Sequence, residues 1–575
     1  MSWESSIRER LWRRAGLWAV LAAVGLFFLF FFFYPLAEVL RGAVVDSNGR
    51  LSGVFLLEVF RNPLYLQGLG NSALLAVWST LGAVLLALPL AFLADRHDFA
   101  GKKLLTAGVL VPMILPPFVG ALGIQKILGQ YGVLNVLLDR LGLTTLAHAP
   151  DWLGHGGFWA IVLVQALHLY PIVYLNAIAA FANVDPVLNE AAANLGCVGF
   201  RRFRRITLPL IMPGLFAGGT ITFIWALTEL GTPLMFHYDR VAPVQIFNGL
   251  LEIGDNPFPY ALVMVVLTVT SLLYLLARLT LGRYAHAMTA KAGVASRARP
   301  ATGLWAVAVA APFVVVTFLA LLPHLAVIGL CAGQGWHQTL LPARLTFDHI
   351  QAALGHPLAV PSIFNSLRYA AGAVVLAMVA GTAVAWITQR AKLRGAWLLD
   401  TLAMLPLAVP GLVLAFGYMA MTQKGRPFHF LDPVTNPTAL LIIAYAVRRL
   451  PYVVRAAVAG LQQTSVSLEE AAASLGAGPL AVFRRITVPL IMANLLAGGL
   501  LAFSFSMLEV SDSLMLAQKQ EFFPITKAIF ELSALLGEGP AIASALGIWT
   551  MGFLAVSLLG ASLLLGKRLG ALFRA

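Results

Sequence analysis

Two glutamates that recur at a fixed interval are the side chains best suited to chemistry in this chain. Glu229 and Glu509 lie 280 positions apart, each at the outer end of a predicted membrane span, and Asp512 adds a carboxylate close to the second. Because hard cations such as Fe³⁺ prefer oxygen ligands, these carboxylates could attract or briefly coordinate such an ion. The alternative is that both glutamates simply lie at the membrane–water boundary, where a charge costs less than in the bilayer centre.

The sequence contains no motif typical of an enzyme with its own catalytic site. It lacks the phosphate-binding pattern Gly-x-x-x-x-Gly-Lys-Ser/Thr, the pattern Gly-x-Ser-x-Gly and the pattern His-Glu-x-x-His. Its two cysteines, Cys197 and Cys331, indicate neither a disulfide framework nor a metal cluster. We therefore expect no catalysis, no cofactor and no metal site, and any ATP hydrolysis that drives this chain must come from another subunit.

A twenty-residue signature occurs twice, each time between two long apolar helices. Its Glu-Ala-Ala start favours a helix, its glycine permits a positive φ and a sharp turn, and its proline suits the first turn of the next helix. Each copy predicts a short helix across the inner face, exposed to a cytosolic partner. Two matched copies indicate two equivalent contacts, as expected for a transporter driven by a separate motor with two heads. They argue against the alternative that each loop is an ordinary amphipathic re-entry between two spans. The shared positions are Glu190, Ala191, Ala192, Gly196, Ile206 and Pro209 in the first copy, and Glu470, Ala471, Ala472, Gly476, Ile486 and Pro489 in the second.

The composition places the chain in membrane lipid. Of its 575 residues, 59% are hydrophobic and 11% are charged, whereas about a quarter of the residues of soluble proteins are charged. The net charge of +14 comes from basic clusters that flank apolar segments, which is typical of cytoplasmic loops and does not indicate a nucleic-acid partner. Because alternating spans place all these clusters on one side, we expect both termini in the cytoplasm.

The apolar segments predict an all-α integral membrane protein with about twelve spans in two parallel repeats of six. Pro116 matches Pro410 at an interval of 294, whereas Pro171 matches Pro451 at 280, so the first half has fourteen additional residues in an outer loop around 129–156. An even number of spans per half gives both halves the same orientation, with a path between them. The predicted spans are 15–38, 72–94, 104–128, 157–181, 209–230, 260–281, 303–330, 366–388, 398–421, 437–460, 489–510 and 543–566.

These spans divide the chain into a first half over 1–285, a cytoplasmic linker over 286–302 and a second half over 303–575. Repeated prolines interrupt the third span of each half. They predict a bend that both halves share, because proline inside a membrane helix removes a backbone hydrogen bond. These prolines are Pro112, Pro116 and Pro117 in the first half, and Pro406 and Pro410 in the second.

The signature resembles the Glu-Ala-Ala motif of the inner-membrane permeases of binding-protein-dependent ABC importers. The family pattern is Glu-Ala-Ala, three residues, Gly, nine residues, Ile, one residue, Leu-Pro. Both copies match it, except that Val488 replaces the leucine. The internal repeat extends the resemblance over most of the chain. A single polypeptide with two six-span halves is most similar to the ferric-iron permeases of this family, and thiamine and phosphonate permeases share the fused layout.

The resemblance implies a permease subunit of the bacterial cytoplasmic (inner) membrane that makes and breaks no covalent bond. In the family the motif helix couples to the motor, so the twelve signature positions would contact an ATP-binding cassette ATPase dimer. A periplasmic or lipid-anchored binding protein would deliver the substrate, for which iron(III) is favoured while thiamine and phosphonates stay open. The fifth span of each half would line the pathway, which makes the pathway candidates Glu229, Glu509, Asp512, Met235 and Met515.

Two other classes of protein compete with this interpretation. A twelve-span secondary transporter, driven by an ion gradient, would have similar spans but should carry buried charges near the bilayer middle, of which the sequence shows few. It would also have no use for paired docking loops. A membrane-embedded enzyme, such as a lipid-modifying transferase, would need a catalytic cluster at one membrane face, and the symmetric polar residues do not form one.

Overall fold

The fold is built almost entirely from helices. The computed structural model describes residues 3–45, 49–113, 116–154, 157–254, 256–288, 298–391, 393 and 395–565. In the first half the α-helices are α1 Trp3–Phe28, α2 Tyr34–Val44, α3 Val54–Arg61, α4 Pro63–Arg96, α5 Lys102–Gly108, α6 Pro117–Leu128, α7 Val133–Arg140, α8 Phe158–Ala182, α9 Pro186–Asn194, α10 Gly199–Arg202, α11 Leu208–Thr228, α12 Gly231–Met235, α13 Ala242–Asn248 and α14 Phe258–Met288.

The second half repeats the order of these elements from the long helix α4 onward. Its α-helices are α15 Gly303–Ala332, α16 Asp348–Gly355, α17 Ala359–Arg390, α18 Ala396–Met404, α19 Gly411–Met421, α20 Thr438–Gln463, α21 Val466–Ser474, α22 Pro479–Val482, α23 Val488–Met507, α24 Ser511–Leu516, α25 Ile525–Ser533 and α26 Gly539–Leu565. The long helices α4, α8 and α11 pack together, and α17, α20 and α23 form the matching group.

Short strands and helical turns complete the described chain. The strands are β1 His97–Asp98, which pairs in parallel with β2 Arg299–Pro300, and β3 Gly333–Gln334, which pairs antiparallel with β4 Arg344–Leu345. Pairing of β1 with β2 fixes the end of the predicted linker to the first half, while residues 289–297 of that linker lie outside the described residues. The 3₁₀ turns are Val111–Met113, Leu146–His148, Gly249–Glu252, Leu405–Leu407, His429–Leu431 and Gln520–Phe522, and the π turns are Leu29–Phe33, Phe203–Thr207 and Phe483–Thr487.

The described residues contain nine helices that are long and apolar enough to cross a membrane, or eleven if each of two bent pairs is one span. This confirms the all-α, multi-span architecture in two repeats. The nine helices are Gly16–Val44, Pro63–Arg96, Phe158–Ala182, Gly199–Thr228, Phe258–Ala277, Gly303–Ala332, Ala359–Arg390, Pro479–Met507 and Gly539–Ser557.

The predicted span 437–460 forms the continuous helix α20 but is not among those eleven. Three arginines, Arg448, Arg449 and Arg455, make it more polar than the other long helices. The helix lies between α17 and α23, as α8 lies between α4 and α11. Most of its side chains are buried by protein, and Arg448 and Arg449 are only 20% and 13% exposed, whereas Arg455 is 51% exposed near Asp400.

The third predicted span of each half is sharply bent, as its prolines predict. The two arms meet at 94° in the first half, where Lys102–Met113 precedes Pro117–Arg140, and at 97° in the second, where Ala396–Leu407 precedes Gly411–Met421. Proline has no amide hydrogen to donate, and the helix ends at these positions, whereas Pro171 and Pro451 lie inside continuous helices. The internal repeat therefore includes this break as well as the straight helices.

The first span of each half packs against the bent span of the other half. Helix α2 lies on α19 and α15 lies on α6. Glycines permit this approach: a methyl group at Gly417 would lie 2.8 Å from the carbonyl oxygen of Pro35, and one at Gly123 would overlap the backbone of Pro323. Because each half packs its first span against the bent span of the other half, the two halves interlock, and neither half packs against its own spans alone.

The outer segments between the last two spans are attached to the long helices α4 and α17. In the first half the Ser72 hydroxyl accepts a hydrogen bond from the Ala242 amide at 2.9 Å. In the second half the Ser366 hydroxyl accepts one from the Ile525 amide at 2.7 Å. These equivalent contacts hold α13 and α25 in equivalent places over the two helix groups.

Candidate functional site

The repeated signature forms two matching surface loops, 185–209 and 465–489, which we call the signature loops. Each starts with a short helix, α9 or α21, that ends at a glycine in the left-handed region. The φ angle is 75° at Gly196 and 88° at Gly476, a conformation that glycine adopts without the steric cost of a side chain. A methyl group at either position would meet no atom within 4 Å, so the glycines serve backbone conformation and not close packing.

A polar side chain caps the start of each signature helix. The Asp185 carboxylate accepts a hydrogen bond from the Val187 amide at 2.9 Å, and the Ser465 hydroxyl accepts one from the Ser467 amide at 3.2 Å. These are residue types that favour the position before the first helical turn. Caps and glycines together fix both ends of each short helix in the same way.

Large apolar side chains project from the turn that follows each short helix. Leu195 and Leu475, at equivalent positions, are 87% and 90% exposed, and Phe200 and Leu480 are 76% and 79% exposed. Such side chains gain nothing from water, and clusters of them mark surfaces that other proteins cover. The two loops therefore present the same apolar turn twice.

The predicted contact positions of the signature are mostly on the surface. Glu190, Ala191, Gly196 and Pro209 are exposed in the first loop, as are Glu470, Ala471, Gly476 and Pro489 in the second. Ile206, Ala472 and Ile486 are half-buried, and Ala192 is buried. The glutamate and the residues beside the glycine are thus free to meet a partner, while the isoleucines help to fasten the loop to the helices above it.

Each signature loop runs into a long helix through one π-helical turn. The turns Phe203–Thr207 and Phe483–Thr487 have the same sequence, Phe-Arg-Arg-Ile-Thr, and each is followed without a break by α11 or α23. Thr207 and Thr487 are buried at the junction. Single π turns are rare in proteins, and those that occur are often found at functional sites. Since the helix is continuous, a displacement of the loop reaches α11 or α23 directly.

Four buried charged residues in the second half meet beyond the far end of α23. Arg448 and Arg449 of α20 both pair with the Glu509 carboxylate, and Arg448 also lies 3.5 Å from a carboxylate oxygen of Asp512. Glu509 and Asp512 are 4% and 0% exposed. We call these four residues the buried charge cluster. Two positive and two negative side chains balance, which is the condition under which buried charges are tolerated.

The equivalent positions of the first half carry no such cluster. His168 and Leu169 stand where the second half has its two arginines, and Thr232 stands in place of the aspartate. The Glu229 carboxylate instead accepts hydrogen bonds from the amides of Gly231 at 3.1 Å and Thr232 at 2.8 Å. Glu229 and Glu509 are equivalent in sequence but differ in their surroundings, and the paired Glu509 is the less available of the two to a cation.

The short helices that follow these glutamates bring the two halves together. A methyl group at Gly231 would lie 3.0 Å from the Val510 side chain. The Met235 sulfur accepts a hydrogen bond from the Ser533 hydroxyl at 3.6 Å, whereas the equivalent Met515 is fully buried within the second half. The pathway candidates thus lie at or beside the contact between the halves. Within the described residues, no group of three histidine, cysteine or carboxylate side chains could hold a metal ion.

A sequence family accounts for both halves of this arrangement. The chain belongs to the family of binding-protein-dependent transport system inner membrane components, which matches residues 83–286 and 373–562. One match falls on each set of long helices with its signature loop. The chain is therefore a multi-span, inner-membrane transport subunit of a bacterial ABC importer and not an enzyme. This membership also excludes the ion-gradient transporter, although the buried charge cluster is a feature that such a transporter would share.

Relatives that match most of the chain are ferric permeases, which confirms the resemblance drawn from the signature. The chain is 27% identical over 511 residues to the ferric transport system permease protein FbpB of Actinobacillus pleuropneumoniae, covering 85% of this chain and 70% of that protein. It is 23% identical over 474 residues to the Fe(3+)-transport system permease protein FbpB 2 of Haemophilus influenzae, covering 80% of this chain and 83% of that protein. It is also 32% identical over 171 residues to the molybdenum transport system permease protein ModB of Haemophilus influenzae, covering 30% of this chain and 71% of that protein.

Sequence reasoning missed the arginines of the buried charge cluster. A signal was present, because Arg448 and Arg449 interrupt an apolar helix in which charged residues are costly. Their partners could not be read from the sequence, since Glu509 lies 60 and 61 positions away, in the turn between α23 and α24. Charge balance between helices is a tertiary property, and only the packing of α20 against α23 and α24 reveals it.

Proposed function

We propose that this chain forms the substrate path of an ATP-driven importer and is driven by a separate ATP-binding cassette ATPase dimer that docks on the two signature loops. The observation that carries the proposal is the pair of matching loops, each with an exposed leucine, at Leu195 or Leu475, beside a glycine of positive φ. Two equal docking surfaces suit a motor of two equal subunits. Both loops and both chain termini then lie in the cytoplasm, as the basic clusters predict.

The proposed mechanism uses the continuous connection between loop and span. When ATP binding closes the motor dimer, its two subunits carry the signature helices α9 and α21 toward each other. This displacement reaches α11 and α23 through the π turns, because each loop continues into its long helix without a break. The two groups of long helices then rock about the contact between the halves, and the path opens alternately to each side. A periplasmic or lipid-anchored binding protein delivers the substrate to the outer face.

We propose iron(III) as the substrate. Support comes from the relatives named for ferric transport, which match most of the chain over both halves. Among the described residues, Glu229 forms no ion pair and is held by two backbone amides, whereas Glu509 is paired with two arginines, so Glu229 is the carboxylate more open to a passing cation. Thiamine and phosphonate are the alternatives, and the loaded binding protein that stimulates ATP hydrolysis will distinguish the three.

The docking proposal predicts that the exposed leucines anchor the motor. We expect Leu195→Ser and Leu475→Ser each to weaken association with the ATPase by about ten-fold, since truncation of an anchor at an interface typically costs more than 1 kcal/mol. The matched control is Leu536→Ser, because Leu536 is 98% exposed in the loop before α26, which the topology places on the outer face. Association is measured with the purified chain in lipid nanodiscs, by titrating labelled ATPase. Equal affinities for all three variants and the wild type would refute docking at these loops.

A second pair of variants separates loop shape from loop chemistry. Gly476→Ala places a side chain at φ 88°, while Gly478→Ala changes a glycine of the same loop whose φ is −67° and which also has open space around it. We expect only the first variant to lower ATP hydrolysis stimulated by a loaded binding protein, because left-handed backbone strains a side chain by about 1 kcal/mol or more. If no ATPase associates with the wild-type chain under any condition, the proposed function fails as a whole.

A further inference from the structure

An arginine in the second half joins the signature helix to three other elements. At the end of α17, the Arg390 Nε atom donates to the Glu469 carboxylate on α21 at 3.2 Å. Its Nη2 atom donates to the carbonyl oxygens of Leu461 at 2.9 Å and Thr464 at 3.1 Å, at the end of α20. The same Glu469 oxygen accepts a hydrogen bond from the Thr487 hydroxyl of the π turn at 3.1 Å. We call this arrangement the Arg390–Glu469 link.

The link is largely shielded from water. The side chains of Arg390 and Glu469 are 10% and 15% exposed, and Thr487 is buried. Ion pairs on open surfaces contribute little, but charge-assisted hydrogen bonds in a shielded site are stronger and hold a fixed geometry. A single oxygen of Glu469 receives both the guanidinium and the hydroxyl, so α21 cannot move without α17 and the π turn that starts α23.

The first half distributes its charges differently. The equivalent arginine, Arg96, has its carboxylate partner on its own helix, at Asp95, with 3.6 Å between the charged atoms. The second half has Gln389 in place of this aspartate. Conversely, the first half has Asn189 in place of Glu469, and an asparagine carries no charge to pair with an arginine. The carboxylate that faces the arginine has therefore changed places, from the long helix in one half to the signature helix in the other.

We propose that Arg390 and Glu469 are positioning residues that couple the second signature loop to the spans. The inference rests on the proposed function, because coupling has meaning only if a motor docks on these loops. Neither residue contacts the motor in this scheme. They convert a displacement of α21 into joint movement of α17, α20 and α23.

The first test follows backbone motion in the chain alone and needs no ATPase. Amide hydrogen exchange is measured on purified protein in nanodiscs for the wild type, Glu469→Gln and Arg390→Lys. We expect both variants to raise exchange about five-fold in 466–474, with the first signature helix unchanged, because a shielded charge-assisted contact is lost. The matched control is Asp95→Asn, which removes the carboxylate partner of Arg96 and should leave 466–474 at the wild-type rate. Unchanged exchange in Glu469→Gln would overturn the link.

The second test measures the number of substrate molecules transported per ATP hydrolysed. With ATPase and loaded binding protein in proteoliposomes, Glu469→Gln should keep wild-type affinity for the ATPase but lower this ratio about five-fold, and Glu469→Asp should restore part of it. A general folding defect would lower affinity and hydrolysis together and leave the ratio unchanged, which would overturn the positioning role. Failure of the wild-type chain to bind any ATPase would instead refute the proposed function, and the exchange result would stand separately.

Discussion

Replacing Glu229 and Glu509 by glutamine tests whether the two halves use their equivalent carboxylates differently. Glu509→Gln removes one of two negative charges from the buried charge cluster and leaves Arg448 and Arg449 with Asp512 alone. Glu229→Gln removes a carboxylate whose partners are two backbone amides and no arginine. The chemical change is the same in both variants, so any difference in outcome comes from the surroundings.

The expected magnitudes follow from these partners. Removing one member of a buried ion pair costs about 3–5 kcal/mol, because it leaves a charge without compensation in a medium of low dielectric constant. At Glu229 a glutamine oxygen can still accept one of the amide hydrogens, so the expected loss is about 1 kcal/mol. With an unfolding entropy of about 2.1 cal/mol/K per residue over 575 residues, this corresponds to a fall in the unfolding temperature of about 3–4 °C for Glu509→Gln and about 1 °C for Glu229→Gln.

The two carboxylates should also differ in their effect on transport. If Glu229 attracts a cation, Glu229→Gln lowers substrate-stimulated transport while the protein stays nearly as stable as the wild type. Glu509→Gln lowers stability first, and the loss should be smaller in the double variant Glu509→Gln, Arg448→Gln, which restores charge balance. Equal effects of the two single variants on stability, or a double variant less stable than Glu509→Gln, would refute the assignment of a structural ion pair to the second half.

Two further substitutions probe other contacts. Gly417→Ala should destabilise the chain by about 1–3 kcal/mol in thermal unfolding, because the added methyl group would press on the Pro35 backbone. The control is Gly70→Ala, since Gly70 lies in a helix with open space around it, and this variant should be neutral or stabilising. Asn135→Ala should lower the free energy of unfolding by about 2 kcal/mol and increase proteolysis of the outer loop. The reason is that buried Asn135 accepts a hydrogen bond from Trp152 and donates hydrogen bonds to backbone carbonyl oxygens of the loop. Wild-type resistance to protease in this variant would contradict this role.

The straight helices and the repeat were predictable because they depend on local properties. Apolar length predicts a span, and the prolines repeated in the third span of each half predict the bend, although a single proline such as Pro171 or Pro451 leaves its helix continuous. The exchange of the first spans could not be predicted, since it depends on which helix lies beside a glycine such as Gly417. Hydropathy does not predict that choice, because the nine long apolar helices of the described chain could each face either lipid or protein.

The signature loops were predictable for a similar reason, and the buried groups were not. The cap, the glycine and the proline of each loop act on their own backbone, so their pattern determines the local shape. The arginine partners of Glu509 and Glu469 lie 60 or more positions away and are determined by helix packing. Polar residues in apolar helices can therefore be recognised as important from sequence, while the contacts that give them a role need the structure.

The buried charge cluster and the Arg390–Glu469 link fall in the same half. The buried charge cluster near the far end of α23 and the Arg390–Glu469 link at its start both belong to the second half, and they stand at the two ends of one continuous helix. A helix held by ion pairs at both ends moves as a rigid body with its neighbours α17 and α20. The first half has His168 and Asn189 at the places of Arg448 and Glu469, so neither ion pair is repeated there. We therefore expect α23 to move as one body with α17 and α20 during transport.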